Sequence, residues 1–231
     1  MKRFYKSAGV VEDGGGFLVQ LDGRPIHTFL RRPFALPTRA LAEAVAREWD
    51  DQPEEIDRMA MPLNRMAGTA IDGLAGKRAE TVDAVAKYAE TDMVCYWADA
   101  PQSLIEQQQA TWRPLLDWTE ERFGARLQVT SGVLPVAQDA AALDRLKMAV
   151  DAMDDFKLVA LSVATGTAGS LVIGLALVEG HIDALRAFEA AQLDETWQLS
   201  EWGEDEQATQ RRNRVLAEFG HVEALIEGLR N

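Results

Sequence analysis

Hydrophobic and polar positions divide this chain into two textures. Phe17, Val19 and Leu21 alternate with Leu18, Gln20 and Asp22, the period of two that a half-buried strand requires. Gly14-Gly15-Gly16 precedes the alternation and Asp22-Gly23 follows it; the second dipeptide suits a two-residue hairpin turn. Further extended segments at 4–11 and 25–30 complete an antiparallel β unit. Pro33 and Pro37 punctuate its exit, and Thr38 has the side chain of a helix N-cap.

From Thr38 onward the period lengthens. Leu41, Val45 and Trp49 recur every four residues, and Leu63, Met66, Ala67, Ala70, Ile71 and Leu74 form a second apolar stripe. Further helices are expected over 77–90, 103–123, 139–153, 169–178, 182–201 and 204–229. The last carries Val215, Phe219, Val222, Ile226 and Leu229 on one face. A short extra strand is expected at 126–130. Pro114, inside the fourth of these helices, should end it, kink it or open its main body. The fold class is therefore α+β, a small N-terminal antiparallel β domain at 1–37 followed by a larger all-helical domain at 38–231.

Composition narrows the functions. The chain has 231 residues, enough for one large domain or two small ones, and a formal net charge of -13. That charge argues against nucleic acid as the main ligand. The single cysteine, Cys95, lies in the apolar run Met93-Val94-Cys95-Tyr96-Trp97, so a disulfide framework within the chain is excluded. No secretory or organellar leader is evident, so a cytoplasmic location, or an already mature chain, is expected. The uncharged stretch 158–178 is long enough to span a membrane, but Thr165-Gly166-Thr167-Ala168-Gly169-Ser170 sits at its centre, so two buried segments meeting at a turn are expected instead.

Familiar catalytic devices are missing. His27, His181 and His221 are far apart, without an HExxH or a Cys/His cluster, and no metal site is expected. The Thr165–Ser170 glycines lack the lysine of a phosphate loop, and no GxSxG elbow occurs. Glu90 with Asp92, or Asp194 with Glu195, are the carboxylate pairs available for acid–base work, but neighbours on a helix point about 100° apart. Asp92, beside an aromatic run, reads as a structural cap or ion-pair partner. Trp112 and Trp118 read as core residues, with a protein-binding hot spot as the alternative for any that is exposed.

The densest feature lies between Leu193 and Glu206, where six carboxylates and two tryptophans, Trp197 and Trp202, occupy fourteen residues. Aromatic bodies with acids suit a protein partner, since the rings supply contact area and the charges steer encounter. The alternative is a helix end with buried tryptophans and a solvated acidic face.

Several blocks, in order, resemble one family. They are Leu21-Asp22-Gly23-Arg24-Pro25; Leu36-Pro37-Thr38-Arg39-Ala40-Leu41-Ala42 with Glu48-Trp49; and Met61-Pro62-Leu63-Asn64-Arg65-Met66-Ala67 with Thr69-Ala70-Ile71-Asp72. Tyr88-Ala89-Glu90-Thr91-Asp92 with Cys95-Tyr96, Trp112-Arg113-Pro114-Leu115-Leu116, Ser170-Leu171, and Leu193-Asp194-Glu195 with Gln198 and Trp202-Gly203-Glu204 continue the match. Together they resemble the assembly chaperones that handle the alpha subunit of the F1 sector of ATP synthase, the ATP-twelve family. Asn64 and Gly68 depart from that pattern, which more often carries Thr and Asn, and Trp97 stands where a basic residue is more frequent.

The resemblance implies a non-enzymatic, ATP-independent chaperone of the unassembled F1 alpha subunit, without cofactor, nucleic-acid or membrane partner, and monomeric. It implies a bacterial, cytoplasmic member, with eukaryotic relatives in the mitochondrial matrix. Glu195, Asp194, Gln198, Trp202, Gly203 and Glu204 are the expected partner contacts, Glu195 foremost because a carboxylate beside a Trp-bearing face can pair with arginine. Asp22, Gly23, Trp49, Arg65, Asp72 and Asp92 are the expected structural signature, with Arg65 and Asp72 two turns apart on one helix face and able to tie it to the β unit. A small hydrolase or lyase using the acids of Glu90 to Asp92 or Asp194 to Glu195 in an interdomain cleft is the rival enzyme reading, and a general acidic adapter the rival binding one.

Overall fold

The computed structural model describes residues 1–74, 76–132, 134–203 and 206–230, with Trp202 described through its backbone only. Strands β1 (Ala8–Asp13) and β2 (Gly16–Leu21) pair antiparallel with Asp13 opposite Gly16. On its other edge β2 takes β3 (Arg24–Pro25) and β4 (Ala35–Leu36), also antiparallel. Leu21 faces Arg24 across Asp22-Gly23, whose φ angles of 48° and 77° are those of a mirror-image two-residue turn. Gly16 has φ 145°, and a Cβ there would lie 2.7 Å from the Leu36 carbonyl oxygen, so glycine is what lets β4 approach.

The segment expected as a strand at 25–30 is one only at its start. His27 bridges Pro33, and Thr28 to Arg31 form a tight turn in which the Arg31 N–H donates to the Thr28 carbonyl at 3.0 Å. Arg31 has φ 63°, which no strand tolerates.

Ten α-helices follow among the described residues: α1 (Arg39–Asp50), α2 (Pro62–Gly68), α3 (Arg78–Ala86), α4 (Gln102–Phe123), α5 (Ala140–Asp151), α6 (Asp155–Ala168), α7 (Leu171–Val178), α8 (Ala184–Ala191), α9 (Leu193–Trp202) and α10 (Glu206–Arg230). A small antiparallel sheet ahead of a helical body is the α+β architecture the pattern predicts. The extra strand near 126–130 becomes β6 (Thr130–Ser131), which pairs in parallel with β5 (Tyr96–Trp97).

Packing contacts group the chain into two compact units. One comprises Met1–Arg78, Asp154–Ala160 and Glu223–Asn231; the other comprises Ala79–Met153 and Leu161–Val222. The expected boundary after residue 37 falls inside the first unit, because α1 lays Leu41, Ala42, Val45 and Ala46 against β1 and β2. Thr38 caps α1 by accepting the Leu41 N–H at 3.2 Å, and its hydroxyl donates to the Gly228 carbonyl. A second cluster of Tyr5, Leu21, Ile56 and Met61 packs with Ile26 and Trp49.

In the second unit, α7 is buried along its whole length and α4 turns Trp112, Leu115, Leu116 and Thr119 inward. The helix neither ends nor restarts at Pro114, whose ring leaves the Ala110 carbonyl without its usual donor. The apolar run at 158–178 is two segments, α6 and α7, broken where Gly169 takes φ 68° and Ser170 caps α7 by accepting the Ile173 N–H at 3.1 Å. Gly174 permits their close approach, since a Cβ there would lie 2.5 Å from the Thr165 hydroxyl. No helix among the described residues is long and apolar enough to cross a membrane.

Candidate functional site

The acidic, tryptophan-bearing segment forms α9. A single helix is expected over 182–201, but the chain breaks at Gln192, with φ -108° and ψ 18°. Trp112 supplies a reason. Its buried indole N–H donates to the Ala190 carbonyl at 2.9 Å, claiming the acceptor that a continuous helix would offer to residue 194.

Much of the polar character of α9 is spent inside the molecule. Asp194 accepts from the buried Gln108 amide at 2.8 Å, whose oxygen in turn accepts the Ala98 N–H at 2.7 Å. Glu195, its side chain 30% exposed, pairs with Arg211 on α10 at 3.1 Å. Thr196 accepts from Arg212 at 2.7 Å, one residue further along each helix. Leu193 is buried and Trp197 half-buried, while Gln198 and Gly203 face solvent. Glu204 and the side chain of Trp202 lie outside the described residues.

Asp92 is fully buried. Its carboxylate accepts the Val94 N–H at 3.3 Å and the Val172 N–H at 3.0 Å, with further hydrogen bonds from Ser170 and the Leu171 backbone. Burial pushes its pKa up to about 6 against these bonds. The N-terminus of α7, which in sequence looks faintly like a phosphate loop, thus already holds an internal anion. Burial also drives the Cys95 thiol far above its ordinary range, which makes it a poor nucleophile. Glu90 is exposed, and no group of His, Cys, Asp and Glu that could hold a metal ion occurs among the described residues.

The first unit carries a groove of about 1420 Å³, lined among others by Phe4, Phe29, Leu30, Phe34, Met61 and Trp49. None of the four carboxylates considered for acid–base chemistry lines it. Phe29 is 92% exposed, at the tip of the 28–31 turn. Buried Asp72 fixes that turn: one carboxylate oxygen accepts the Thr28 hydroxyl at 2.5 Å, and the other accepts the Leu30 N–H at 2.7 Å. Asp72 itself sits in a π-helical turn, Thr69–Gly73, that extends α2. Arg24, Arg31, Arg58 and Arg65 also line the groove.

Residues 2–120 match the family described as ATP12 chaperone protein. The chain belongs to the ATP12 chaperone family. Its fold matches the crystal structure of Atp12 from Paracoccus denitrificans with a TM-score of 0.92 and 39% identity, covering 99% of this chain and 98% of that one. A protein from Agrobacterium tumefaciens described as a candidate chaperone matches at TM-score 0.92 and 36% identity, over 99% of this chain and 86% of that one. In sequence, the mitochondrial protein atp12 of Schizosaccharomyces pombe is 22% identical over 227 residues, 93% of this chain and 78% of the relative.

Several of the expected signature residues make contacts that hold the frame. Asp22 accepts the Lys6 and Ser7 N–H groups, and those bonds hold its carboxyl below the usual range. Trp49 is half-buried; its indole donates to Asn64 at 3.0 Å, and its carbonyl accepts the Tyr5 hydroxyl at 2.6 Å. Asn64, expected as a departure from the family pattern, is the acceptor for the Trp49 donor. Trp97, another expected departure, donates to the Val94 carbonyl and lies 4.8 Å beneath the Arg113 guanidinium. Asp72 bonds the Thr28 hydroxyl and the Leu30 N–H, whereas Arg65 turns into the groove, where its buried Nε has no acceptor among the described residues.

Sequence reasoning missed Phe29, Leu30 and the groove arginines. The one available signal was Phe29-Leu30 beside Arg31-Arg32-Pro33, a bulky apolar pair in what reads as a strand end.

Proposed function

We propose that this ATP12 family member is an ATP-independent holdase that binds the unassembled F1 alpha subunit and delivers it to assembly of the F1 sector. The observation that carries this reading is the match of fold and sequence over nearly the whole chain to Atp12 of Paracoccus denitrificans. An unassembled subunit exposes a contact surface that is both apolar and charged, and it aggregates unless that surface is covered. A broad groove with exposed aromatic side chains suits such a client.

ATP independence is supported by the α7 N-terminus, where Asp92 occupies the place a phosphate would need. Function without catalysis is supported by the placing of the candidate acids: Asp92 is locked into backbone bonds, and Asp194 and Glu195 are tied to Gln108 and Arg211. Because those two are engaged internally, Gln198 and Gly203 are, of the expected contacts described, the ones open to a partner. We assign the chain to the bacterial cytoplasm and to a monomeric state. Release by the incoming beta subunit needs no nucleotide.

The test is the aggregation of isolated alpha subunit, followed by light scattering without ATP. Suppression at near-stoichiometric chaperone supports the assignment; scattering unchanged by this protein rejects it.

A further inference from the structure

We propose that the groove of the first unit is where the client is held, and that it takes an extended segment bearing large apolar side chains flanked by carboxylates. This rests on the chaperone reading above and adds to it the place and chemistry of the grip.

Several exposed apolar side chains converge on this groove. Phe29, Phe4, Leu30 and Met1 are 92%, 67%, 55% and 64% exposed, and all line the one groove. Single exposed apolar residues are ordinary on any protein, whereas a connected set marks an interaction site.

That exposure is built into the fold. The Thr28–Arg31 turn presents Phe29 and Leu30 at its tip, with Arg31 in the left-handed region at φ 63°. Left-handed backbone at a non-glycine residue persists only where its surroundings over-determine it. Here the buried carboxylate of Asp72 does so from below, through the Thr28 hydroxyl and the Leu30 N–H. The Arg32 N–H adds a bond to the Thr28 hydroxyl at 3.1 Å. A turn held in this way offers its aromatic tip at little further entropic cost on binding.

Charge selects the occupant. The chain as a whole is at -13, yet four arginines line the groove against two carboxylates. Both carboxylates are committed, Asp22 to backbone N–H groups and Asp72 to the turn. Arg24, Arg31 and Arg58 make no ion pair with a described residue; Arg65, whose buried Nε has no acceptor among the described residues, stands near Glu48, whose pKa burial raises and this cation lowers. Unpaired guanidinium groups beside apolar surface fit carboxylates that flank large side chains. A second copy of this chain is the poorer occupant, because two molecules of this charge repel.

The probe is a fluorescein-labelled peptide with Leu and Phe at alternate positions and Glu at both ends, with a twin carrying Lys at the ends. Binding to the full-length protein is read by anisotropy. The expected result is a preference of about tenfold for the Glu-ended peptide, a loss of about tenfold in Phe29→Ser/Leu30→Ser, and an inverted preference in Arg24→Glu/Arg58→Glu. All four positions are exposed, so the variants should keep the wild-type melting temperature. Equal affinity of the wild type for both peptides, or unimpaired binding by Phe29→Ser/Leu30→Ser, overturns the proposal. So does a concentration-dependent dimer that this double substitution abolishes, since the groove would then be covered by a second copy.

The alpha-subunit assay separates the two claims. If the wild type and Phe29→Ser/Leu30→Ser suppress aggregation equally, the groove fails and the holdase stands. Groove-dependent peptide binding without any effect on alpha subunit leaves the groove and removes the client.

Discussion

The α9 segment and the 28–31 turn are opposites in how they use conspicuous side chains. α9 concentrates acids and tryptophans in sequence, yet Leu193, Asp194, Glu195 and Thr196 are directed into contacts with its own unit. The turn is modest in sequence, and its Phe29 is 92% exposed. Density of striking residue types along a chain therefore says little about availability. What makes a surface available is an anchor beneath it, and here the anchor is Asp72 rather than any feature of the exposed residues themselves.

Breaking the anchors should separate the two regions. The largest effect is expected from Trp112→Ala, which empties a fully buried indole site and frees the Ala190 carbonyl. A loss of about 3–5 kcal/mol in denaturant unfolding is expected, with increased hydrogen exchange in α8 and α9. If exchange there stays as in the wild type, Trp112 does not seat α9. Asp72→Asn should cost less, about 1–3 kcal/mol, because one oxygen of the acceptor pair becomes a donor facing a donor. Its signature is a mobile 28–32 turn with α9 unaffected.

The second unit also carries a pH signature. The Asp92 carboxyl has its pKa raised to about 6 by burial, from 3.8, so the folded chain holds that proton more tightly than the unfolded one. Its stabilising contribution is complete below the unfolded value and is lost as pH rises through about 6. Relative to Asp92→Asn, the wild type should therefore lose stability between pH 4 and pH 6.5, read as a fall in its denaturant midpoint. A pH-independent difference would remove burial as the governing cause.

The smallest effect is expected at the α9–α10 ion pair. Glu195→Lys sets two cations together at a partly exposed site and should cost under about 1 kcal/mol, recovered by adding Arg211→Glu. Failure of the charge swap to restore the melting temperature would show that Glu195 has a further partner. The single reversal alone cannot assign Glu195 to the client, because it disturbs Arg211 first.

The β hairpin, the Thr38 cap, the α6–α7 break and most of the helices were legible because each is a local device, a period, a turn dipeptide or a cap; α6 was expected only as a buried segment. The break at Gln192 was not, since it depends on Trp112, distant in sequence, taking the Ala190 carbonyl. The same reason hid the groove. Phe4, Phe29, Arg58 and Arg65 share one surface only after the sheet, α2 and the π-helical turn have packed, and no spacing rule joins them. Asp72 was legible as a tie to the β unit but not as the support of a binding turn. Among the acids of α9, sequence displayed their charge and concealed their partners.

The most direct measurement is light scattering from isolated alpha subunit without ATP, in the presence of wild-type protein, Phe29→Ser/Leu30→Ser, or Glu195→Lys/Arg211→Glu. Wild type and the charge swap should both keep the subunit in solution, while the turn variant, folded to the same melting temperature, should not. Full protection by the turn variant together with loss of protection in the charge swap would contradict the account and return the grip to α9.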